Sequence, residues 1–345
     1  MSGGVDSAVA AALLVRAGFD VIGVFMKFWT EPVVTGVCLP ENRCCSDDSE
    51  MRARKTASQL EIPFYVLDIK DEFKKMVVDR FIADTKRGLT PNPCVVCNQE
   101  IKFGLLIERA HAMGADYVAT GHYVQIKKTK AGAYRLLKGK DKSKDQSYFL
   151  WRLSQKQLSR IIFPVGCFDK VETRQMAKKW RLPSAKTPES QEICFAAGDM
   201  EGFLARHCGN KPGDIIDETG KVIGRHEGLW FYTIGQRKGI KLSGGPFYVA
   251  VKDFKKNRLI VARDFKSLGK AKAGLRDVRW VAGAAPDLPL GIKARIRYRS
   301  KDVAAVLNKN HGYELEFARP QLAVTPGQSA VFYKGGEILG GGIIV

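Results

Sequence analysis

Residues 2–7 read Ser-Gly-Gly-Val-Asp-Ser and open an apolar helix. The two glycines lack a Cβ, so the backbone can turn tightly here and approach a ligand closely. We expect the oxygens of Ser2, Asp6 and Ser7 to cap the helix. Because the first N–H groups of a helix are unpaired and its dipole is positive there, the stretch predicts a phosphate-binding turn. An ordinary capped glycine turn is the alternative if the motif stands alone.

The motif differs from a Walker loop. No lysine follows it in the G-x-x-x-x-G-K-[ST] frame, and the pair Gly220-Lys221 lies in a predicted hairpin turn. A phosphate-binding turn normally follows a buried parallel strand, whereas only Met1 precedes this one. We therefore expect an upstream start or a neighbouring strand that substitutes. No run of about 18 apolar residues occurs, and we predict a soluble, intracellular protein.

Charge and cysteine content narrow the functional classes. The 345 residues include 56 Lys+Arg and 36 Asp+Glu, a net charge of +20 spread from Lys27 to Lys334. This dispersion predicts a large polyanionic partner held across several domains, with a merely basic surface as the alternative. Eight cysteines without a secretory context favour catalytic, metal-binding or inert thiols over a disulfide framework.

Strand and helix patterns alternate in the first half of the chain. Short apolar strands are predicted at 20–28, 63–68 and 117–120, with amphipathic helices between them. This alternation predicts a doubly wound parallel sheet that binds ligands at the carboxyl ends of its strands. Two further strands are predicted near 123–126 and 135–138, followed by a helix carrying Tyr148, Phe149, Leu150 and Trp151.

The texture changes from about Gly198, where short strands alternate with Gly and Asp turns. We predict an α/β domain over 1–197, a small β-rich central domain over 198–263 and a C-terminal β-barrel-like domain over 264–345.

Two cysteine motifs lie in the α/β part. Residues 92–98 read Asn-Pro-Cys-Val-Val-Cys-Asn and begin a helix, which places Cys94 and Cys97 where the helix dipole lowers a thiol pKa. Residues 191–194 read Gln-Glu-Ile-Cys. Cys194 could join the first two thiols at an iron-sulfur cluster, and a zinc site could recruit His207 or Cys208. Cys38, Cys44 and Cys45 are predicted to be inert.

Six motifs together resemble the tRNA-specific 2-thiouridylases, which are PP-loop ATP pyrophosphatases with an adenine nucleotide alpha hydrolase-like fold. They lie at 2–7, 92–103, 121–123, 144–146, 189–195 and 326–333. In this family ATP adenylates the C2 oxygen of the anticodon wobble uridine, and a protein persulfide replaces that oxygen with sulfur. The resemblance implies ATP and Mg²⁺ as cofactors and the tRNAs for Lys, Glu and Gln as substrates. It also implies a cysteine desulfurase or sulfur-relay protein as the persulfide donor, and a cytoplasmic location.

The resemblance assigns roles to individual residues. Cys97 would be the nucleophile and Cys194 would carry the persulfide, released through a transient disulfide or as sulfide. The ATP-binding residues would be Met1, Ser2, Gly3, Gly4, Val5, Asp6, Ser7, Met26 and Gly121. Asn92, Pro93 and Cys94 would contact the target base, and His122, Lys144, Asp145, Gln146, Arg297, Tyr298 and Gln328 would contact other parts of the tRNA. No resident metal is implied. Many relatives have aspartate at the position of Cys94, which leaves the proton transfer open.

Two other functions stay open from the sequence. One is a PP-loop enzyme that acts on a small acceptor, and the other is a tRNA-binding protein that has lost its activity. AMP formation with tRNA, with a small acceptor or with neither would separate the three.

Overall fold

The computed structural model describes residues 1–31, 46–188, 193–196 and 199–345. An α/β region comes first, then a four-stranded sheet and a closed six-stranded barrel. Cys38, Cys44 and Cys45 lie outside the described residues, as do residues 189–192 of the second cysteine motif.

Helices and strands alternate in the α/β region. They are α1 (Val5–Arg16), β1 (Gly23–Lys27), α2 (Asp47–Gln59), β2 (Phe64–Asp68), α3 (Lys70–Phe73), α4 (Asp79–Lys86), α5 (Pro93–Val96), α6 (Leu106–Ala112), β3 (Val118–Ala119), β4 (Val124–Lys128), β5 (Tyr134–Lys138), α7 (Gln155–Leu158), β6 (Ile161–Ile162) and α8 (Lys170–Lys179). π-Helical segments, Lys74–Val78 and Cys97–Leu105, join α3 to α4 and α5 to α6. Strand β1 pairs in parallel with β2, and β3 pairs in parallel with β6. This pairing agrees with the predicted α/β class.

The first helix is anchored by small side chains. Val5, Ala8, Val9 and Ala12 are buried in a cluster that also contains Ala177 of α8. Alanines let the two helices approach closely, so α1 is held against α8.

The prediction of a helix at 148–151 is wrong. Only the single 3₁₀ turn Ser147–Phe149 forms there. Tyr148, Leu150 and Trp151 are each at most 1% exposed, in a core that the α/β region shares with the barrel. An amphipathic helix exposes one polar face to solvent. This segment is buried on several sides, so packing against the core determines its backbone conformation.

The central part is a small sheet preceded by one helix. Its elements are α9 (Met200–Cys208), β7 (Gly213–Ile216), β8 (Val222–His226), β9 (Tyr248–Asp253) and β10 (Arg258–Ala262). The strand order is β8-β7-β10-β9, with β7 and β10 parallel. Ile215, Val249 and Leu259 are fully buried beneath it.

The C-terminal part is a closed barrel. Its strands are β11 (Gly269–Trp280), β12 (Leu290–Arg295), β13 (Val303–Lys309), β14 (Tyr313–Leu322), β15 (Ser329–Lys334) and β16 (Glu337–Ile344). The order β11-β14-β13-β12-β15-β16 closes through pairing of β11 with β16. Strand β5 also pairs with β16, so the hairpin β4–β5 extends this sheet. No helix within the described ranges combines the length and apolar character that a membrane crossing needs.

Candidate active site

The turn at the start of α1 is closed by its own hydrogen bonds. Gly3 has φ 70°, and a Cβ there would lie 2.2 Å from the Ser49 carbonyl oxygen of α2. The Ser2 amide donates to Ser7 Oγ at 3.1 Å, and Ser7 Oγ donates to the Gly4 carbonyl at 3.1 Å. Gly4 is the N-cap residue and offers the helix no side-chain cap. The expected side-chain capping is therefore wrong, and the first N–H groups of α1 keep their capacity for a bound anion.

Asp6 anchors the turn to distant parts of the chain. Its Oδ1 accepts hydrogen bonds from Tyr123 Oη and Lys170 Nζ, both at 2.7 Å, and Lys170 Nζ also lies 2.9 Å from Oδ2. Only 10% of the Lys170 side chain is exposed. The carboxylate thus ties α1 to the start of α8 and does not cap its own helix.

Gly121 fits against the turn without space for a side chain. A Cβ there would lie 2.6 Å from the Asp6 carbonyl carbon and 2.7 Å from the Ser7 amide nitrogen. Gly121 therefore lets the loop after β3 pack directly against the backbone of the turn. Met26 lies near the carboxyl end of β1.

Arg52 supplies a cation that the motif does not contain. Its Nε donates to the Gly3 carbonyl at 3.3 Å, and its Nη2 donates to Ser49 Oγ at 2.7 Å. A guanidinium beside the turn provides the positive charge that a Walker loop obtains from lysine. Nothing in the sequence around α2 marks this arginine, because its partner is 49 residues away.

The residues at the turn fit a nucleotide phosphate. A glycine turn, an uncapped helix start and Arg52 together favour an anion. They do not form a protein cage for Mg²⁺, since Asp6 is already bonded to Lys170 and Tyr123. Mg²⁺ retains several waters and binds through substrate phosphates, so this turn fits it only together with a nucleotide.

The first cysteine helix begins one residue before Cys94. Asn92 Oδ1 accepts the Cys94 amide at 3.2 Å, and Pro93 occupies the first helical position. Cys94 therefore lies in the first turn, where the dipole acts. Cys97 comes a turn later, at the start of a π-helical segment. The predicted helix-start position is correct for Cys94 and wrong for Cys97, because the side chain of Asn92 determines where the helix begins.

Cys97 and Cys194 meet at one hydrophobic cluster. Cys97 is 8% exposed and belongs to this cluster, which includes Phe73 and Phe195. Cys194 and Met26 pack against the same cluster and are half-buried. The fold thus gathers residues that are 97 positions apart in sequence.

The barrel holds the loop that precedes Asn92. The Thr90 amide donates to the Pro326 carbonyl at 2.9 Å, and Gln328 Nε2 donates to the Thr90 carbonyl at 2.8 Å. A Cβ on Gly327 would lie 2.7 Å from the Thr90 nitrogen. Gln328 therefore contacts the protein here and positions the cysteine loop.

Tyr148 is hydrogen-bonded to Asn92 and to the barrel. Its Oη donates to the Ser329 carbonyl at 2.9 Å and is also hydrogen-bonded to the side chain of Asn92. Burial raises the pKa of the Tyr148 phenol, which therefore stays a neutral donor.

Residues 144–146, which the resemblance assigns to tRNA contact, also make hydrogen bonds within the protein, and the Lys144 amide donates to the Asp141 carbonyl at 3.2 Å. Asp145 is 4% exposed and accepts hydrogen bonds from Ser147 Oγ at 2.9 Å and Arg295 Nη1 at 3.1 Å. Gln146 Oε1 accepts the Tyr123 amide at 3.0 Å. Lys144 is half-buried.

His122 lies inside the protein. Its Nδ1 is 2.7 Å from Thr120 Oγ1, and its ring packs against Phe103 and Phe163. Burial lowers the pKa of His122 well below its ordinary value of 6.5, so the imidazole is neutral.

Arg297 and Tyr298 also make internal contacts. Arg297 Nη2 donates to the carbonyls of Ile234 and Ala323, both at 2.8 Å, and burial lowers its pKa. The Tyr298 ring lies 4.3 Å from that of Phe149. Arg297 thereby joins the central part to the barrel.

The metal alternative gains no support from the described ranges, in which no three His, Cys, Asp or Glu side chains are placed to share an ion. His207 Nε2 lies 3.0 Å from Glu31 Oε1. Cys208 packs against the cluster of Cys97, and burial raises its pKa.

Three family models match the chain. A tRNA methyl transferase HUP domain covers residues 1–198, a tRNA methyl transferase PRC-barrel domain covers 201–263, and an aminomethyltransferase beta-barrel domain covers 271–344. A HUP domain followed by two barrel-type domains agrees with the predicted fold class.

Full-length relatives carry the name tRNA-specific 2-thiouridylase MnmA. The protein of Moorella thermoacetica is 44% identical over 100% of this chain and 98% of its own length. That of Thermus thermophilus is 42% identical over 100% and 93%, and that of Chloroflexus aurantiacus is 44% identical over 100% and 96%.

Proposed function

Because the chain belongs to the tRNA-specific 2-thiouridylase family of PP-loop enzymes, we propose that it converts a tRNA uridine to 2-thiouridine by ATP-dependent sulfur transfer. The observation that carries the proposal is that Cys97 and Cys194 pack against one cluster, together with Met26. A sulfur relay needs two thiols that can reach each other, and a nucleotide-dependent one needs them near the ATP.

The turn at α1 and Arg52 would bind the phosphates of ATP, which this family uses and which we propose enters with Mg²⁺. A pyrimidine C2 oxygen is a poor leaving group. Transfer of AMP to that oxygen, with release of pyrophosphate, makes it a good one.

Sulfur would then pass through the two cysteines. Cys194 carries the outer sulfur as a persulfide, and the Cys97 thiolate attacks the inner sulfur of Cys194. This attack forms a Cys97–Cys194 disulfide and releases the outer sulfur, either as hydrosulfide that attacks C2 or after that sulfur has already bonded to C2. AMP leaves with the former C2 oxygen, and an external thiol must reduce the disulfide before the next turnover.

The finer assignments follow from the family. We propose the wobble uridine of the Lys, Glu and Gln tRNAs as the target, a cysteine desulfurase or relay protein as the persulfide donor, and the cytoplasm as the location. Asn92, Pro93 and Cys94 would contact the base. A loop uridine is extruded at low cost, since its base is not held in a duplex.

Mass spectrometry of the cysteine variants tests the relay. After treatment with a desulfurase and cysteine, Cys194→Ser should carry no added sulfur and form no 2-thiouridine. Cys97→Ser should still load one sulfur on Cys194 yet form no 2-thiouridine. Cys94→Ser should retain some activity, because that position serves the base.

The control is Cys208→Ser, which perturbs the same hydrophobic cluster but lies in neither cysteine motif. It should load sulfur and thiolate tRNA like the wild type. Thiolation by Cys97→Ser at the wild-type rate, or iron in the wild type that all three motif variants lose, would contradict the relay.

A further inference from the structure

A small cleft lies between the α/β region and the barrel, beside the hydrophobic cluster of Cys97, whose Val77 and Phe81 also line it. Its volume is about 40 Å³, and its lining includes Arg80 of α4, Asn92, Pro93, Arg152 and Arg276 of β11. This space is too small for a nucleobase but has room for a few oxygen atoms.

Arg152 lies at the bottom of the cleft and is 7% exposed. Its Nη1 donates to Gln99 Oε1 at 3.3 Å, and its guanidinium lies 4.9 Å from the centre of the Trp151 ring. Its Nε has no hydrogen-bond partner anywhere in the described part of the chain. Burial, together with the charges of Arg80 and Arg279, lowers the pKa of Arg152 to about 10, so it stays charged at neutral pH. A buried donor without a partner is costly, and an unpaired Nε on a charged guanidinium fits an anion.

A β-bulge sets the rim of the cleft. The pairing of β11 with β16 shifts between Arg276 and Arg279, and Asp277 has φ 52°. Arg276 and Arg80 are exposed at the opening. Bulges redirect side chains at the edges of ladders, and here the bulge lies beside the cleft.

Two carboxylates, Asp84 and Asp277, also line the cleft. Asp277 Oδ2 is 3.6 Å from Arg276 Nη1 and 3.9 Å from Arg152 Nη2, which is beyond hydrogen-bonding distance. Asp84 is paired with Arg87. The lining thus holds three arginines and two aspartates, and one of these aspartates is paired with Arg87, which lies outside the lining.

We propose that this cleft binds one phosphodiester group of the RNA substrate, with Arg152 at the bottom of the cleft and Arg80 and Arg276 at its rim. The inference rests on the proposed function for the identity of the RNA. Arginine forks match the oxygens of a phosphate, and the cleft has room for a small group of that kind. Because Asn92 and Pro93 share its lining, the phosphate lies within a few nucleotides of the target base.

Salt dependence of tRNA binding gives the test. The double variant Arg80→Gln/Arg276→Gln changes two exposed side chains and leaves Arg152 in place, so folding is preserved. It should weaken tRNA binding by about tenfold. Its log–log salt slope should be shallower than that of the wild type by about 0.7 to 0.9, the value for one phosphate. If Arg80 and Arg276 bind the same phosphate, each single variant should already cause most of this change in slope.

Arg225→Gln is the matched control, since Arg225 is exposed on β8 and lies outside the cleft lining. It should leave the slope within error of the wild type. An unchanged slope in the double variant overturns the proposal. So does loss of inorganic pyrophosphate binding in the double variant without any change in the tRNA slope, because the site would then serve a free phosphate.

A second arm locates the phosphate. Neutral methylphosphonate groups are placed one at a time near the target uridine of an anticodon stem-loop. One position should weaken wild-type binding and have no further effect on the double variant. All of these are binding measurements, so an enzyme that fails to thiolate would disprove the proposed function and leave this result standing.

Discussion

Gly121→Ala should displace the phosphate-binding turn. The added Cβ would lie 2.6 Å from the Asp6 carbonyl carbon, 2.7 Å from the Ser7 nitrogen and 2.8 Å from Asp6 Cβ. Two of these atoms belong to the backbone of α1, whose buried face is packed and cannot yield cheaply. Inserting one methyl group into such a site costs about 1–3 kcal/mol.

This cost should appear in ATP binding. The loop after β3 and the turn at α1 must separate by several tenths of an ångström, which moves the N–H groups that would contact phosphate. If the strain is relieved in that way, the Kd for ATP rises by about 5- to 150-fold. Isothermal titration calorimetry measures the Kd, and thermal unfolding without ATP measures how much of the strain remains in the folded protein.

Gly291→Ala provides the control. A Cβ at Gly291, on β12, would meet no atom within 4 Å, so both the Kd for ATP and the melting temperature should match the wild type. If Gly121→Ala binds ATP within twofold of the wild type and melts at the same temperature, the close approach of Gly121 to Asp6 does not shape the nucleotide site.

Two further changes test the roles of Asp6 and His122. Asp6→Asn removes the negative charge facing Lys170 and should lower the free energy of unfolding by about 1.5–3 kcal/mol, measured in urea; an unchanged midpoint with an unchanged slope would contradict the anchoring role. His122→Gln should remove a pH dependence of stability. Burial lowers the folded-state pKa of His122 well below its ordinary value of 6.5. Below pH 6.5 the unfolded chain therefore binds a proton at His122 that the folded protein does not bind. The stability contributed by neutral His122 is therefore complete above pH 6.5 and is lost at up to about 1.4 kcal/mol per unit as the pH falls. A difference between wild type and variant that stays constant from pH 8 to pH 5 would refute this.

The local sequence determined the turns, strands and motifs that depend only on residues close together in the chain. Gly3 was identifiable because a tight turn needs a residue that tolerates φ 70°, and the parallel strands β1 and β2 were identifiable as short apolar runs separated by a helix. The motifs around Cys97 and Cys194 also indicated the two thiols and the family. In each case the signal lies within a few residues, so periodicity, turn chemistry or spacing can carry it.

Only the tertiary structure decided which partners these residues have. Asp6 was expected to cap its own helix, but the fold brings Lys170 from 164 residues away to its carboxylate. The contact of Gln328 with tRNA stays a prediction, but only the fold reveals that its side chain also donates to the Thr90 carbonyl, 238 residues away.

The cationic cleft shows the same limit. Arg152 has no motif, and its significance appears only when the bulge of β11 and helix α4 surround it with further arginines. A side chain's burial and charged neighbours are set by which distant segments pack together, and local propensity contains no information about that packing.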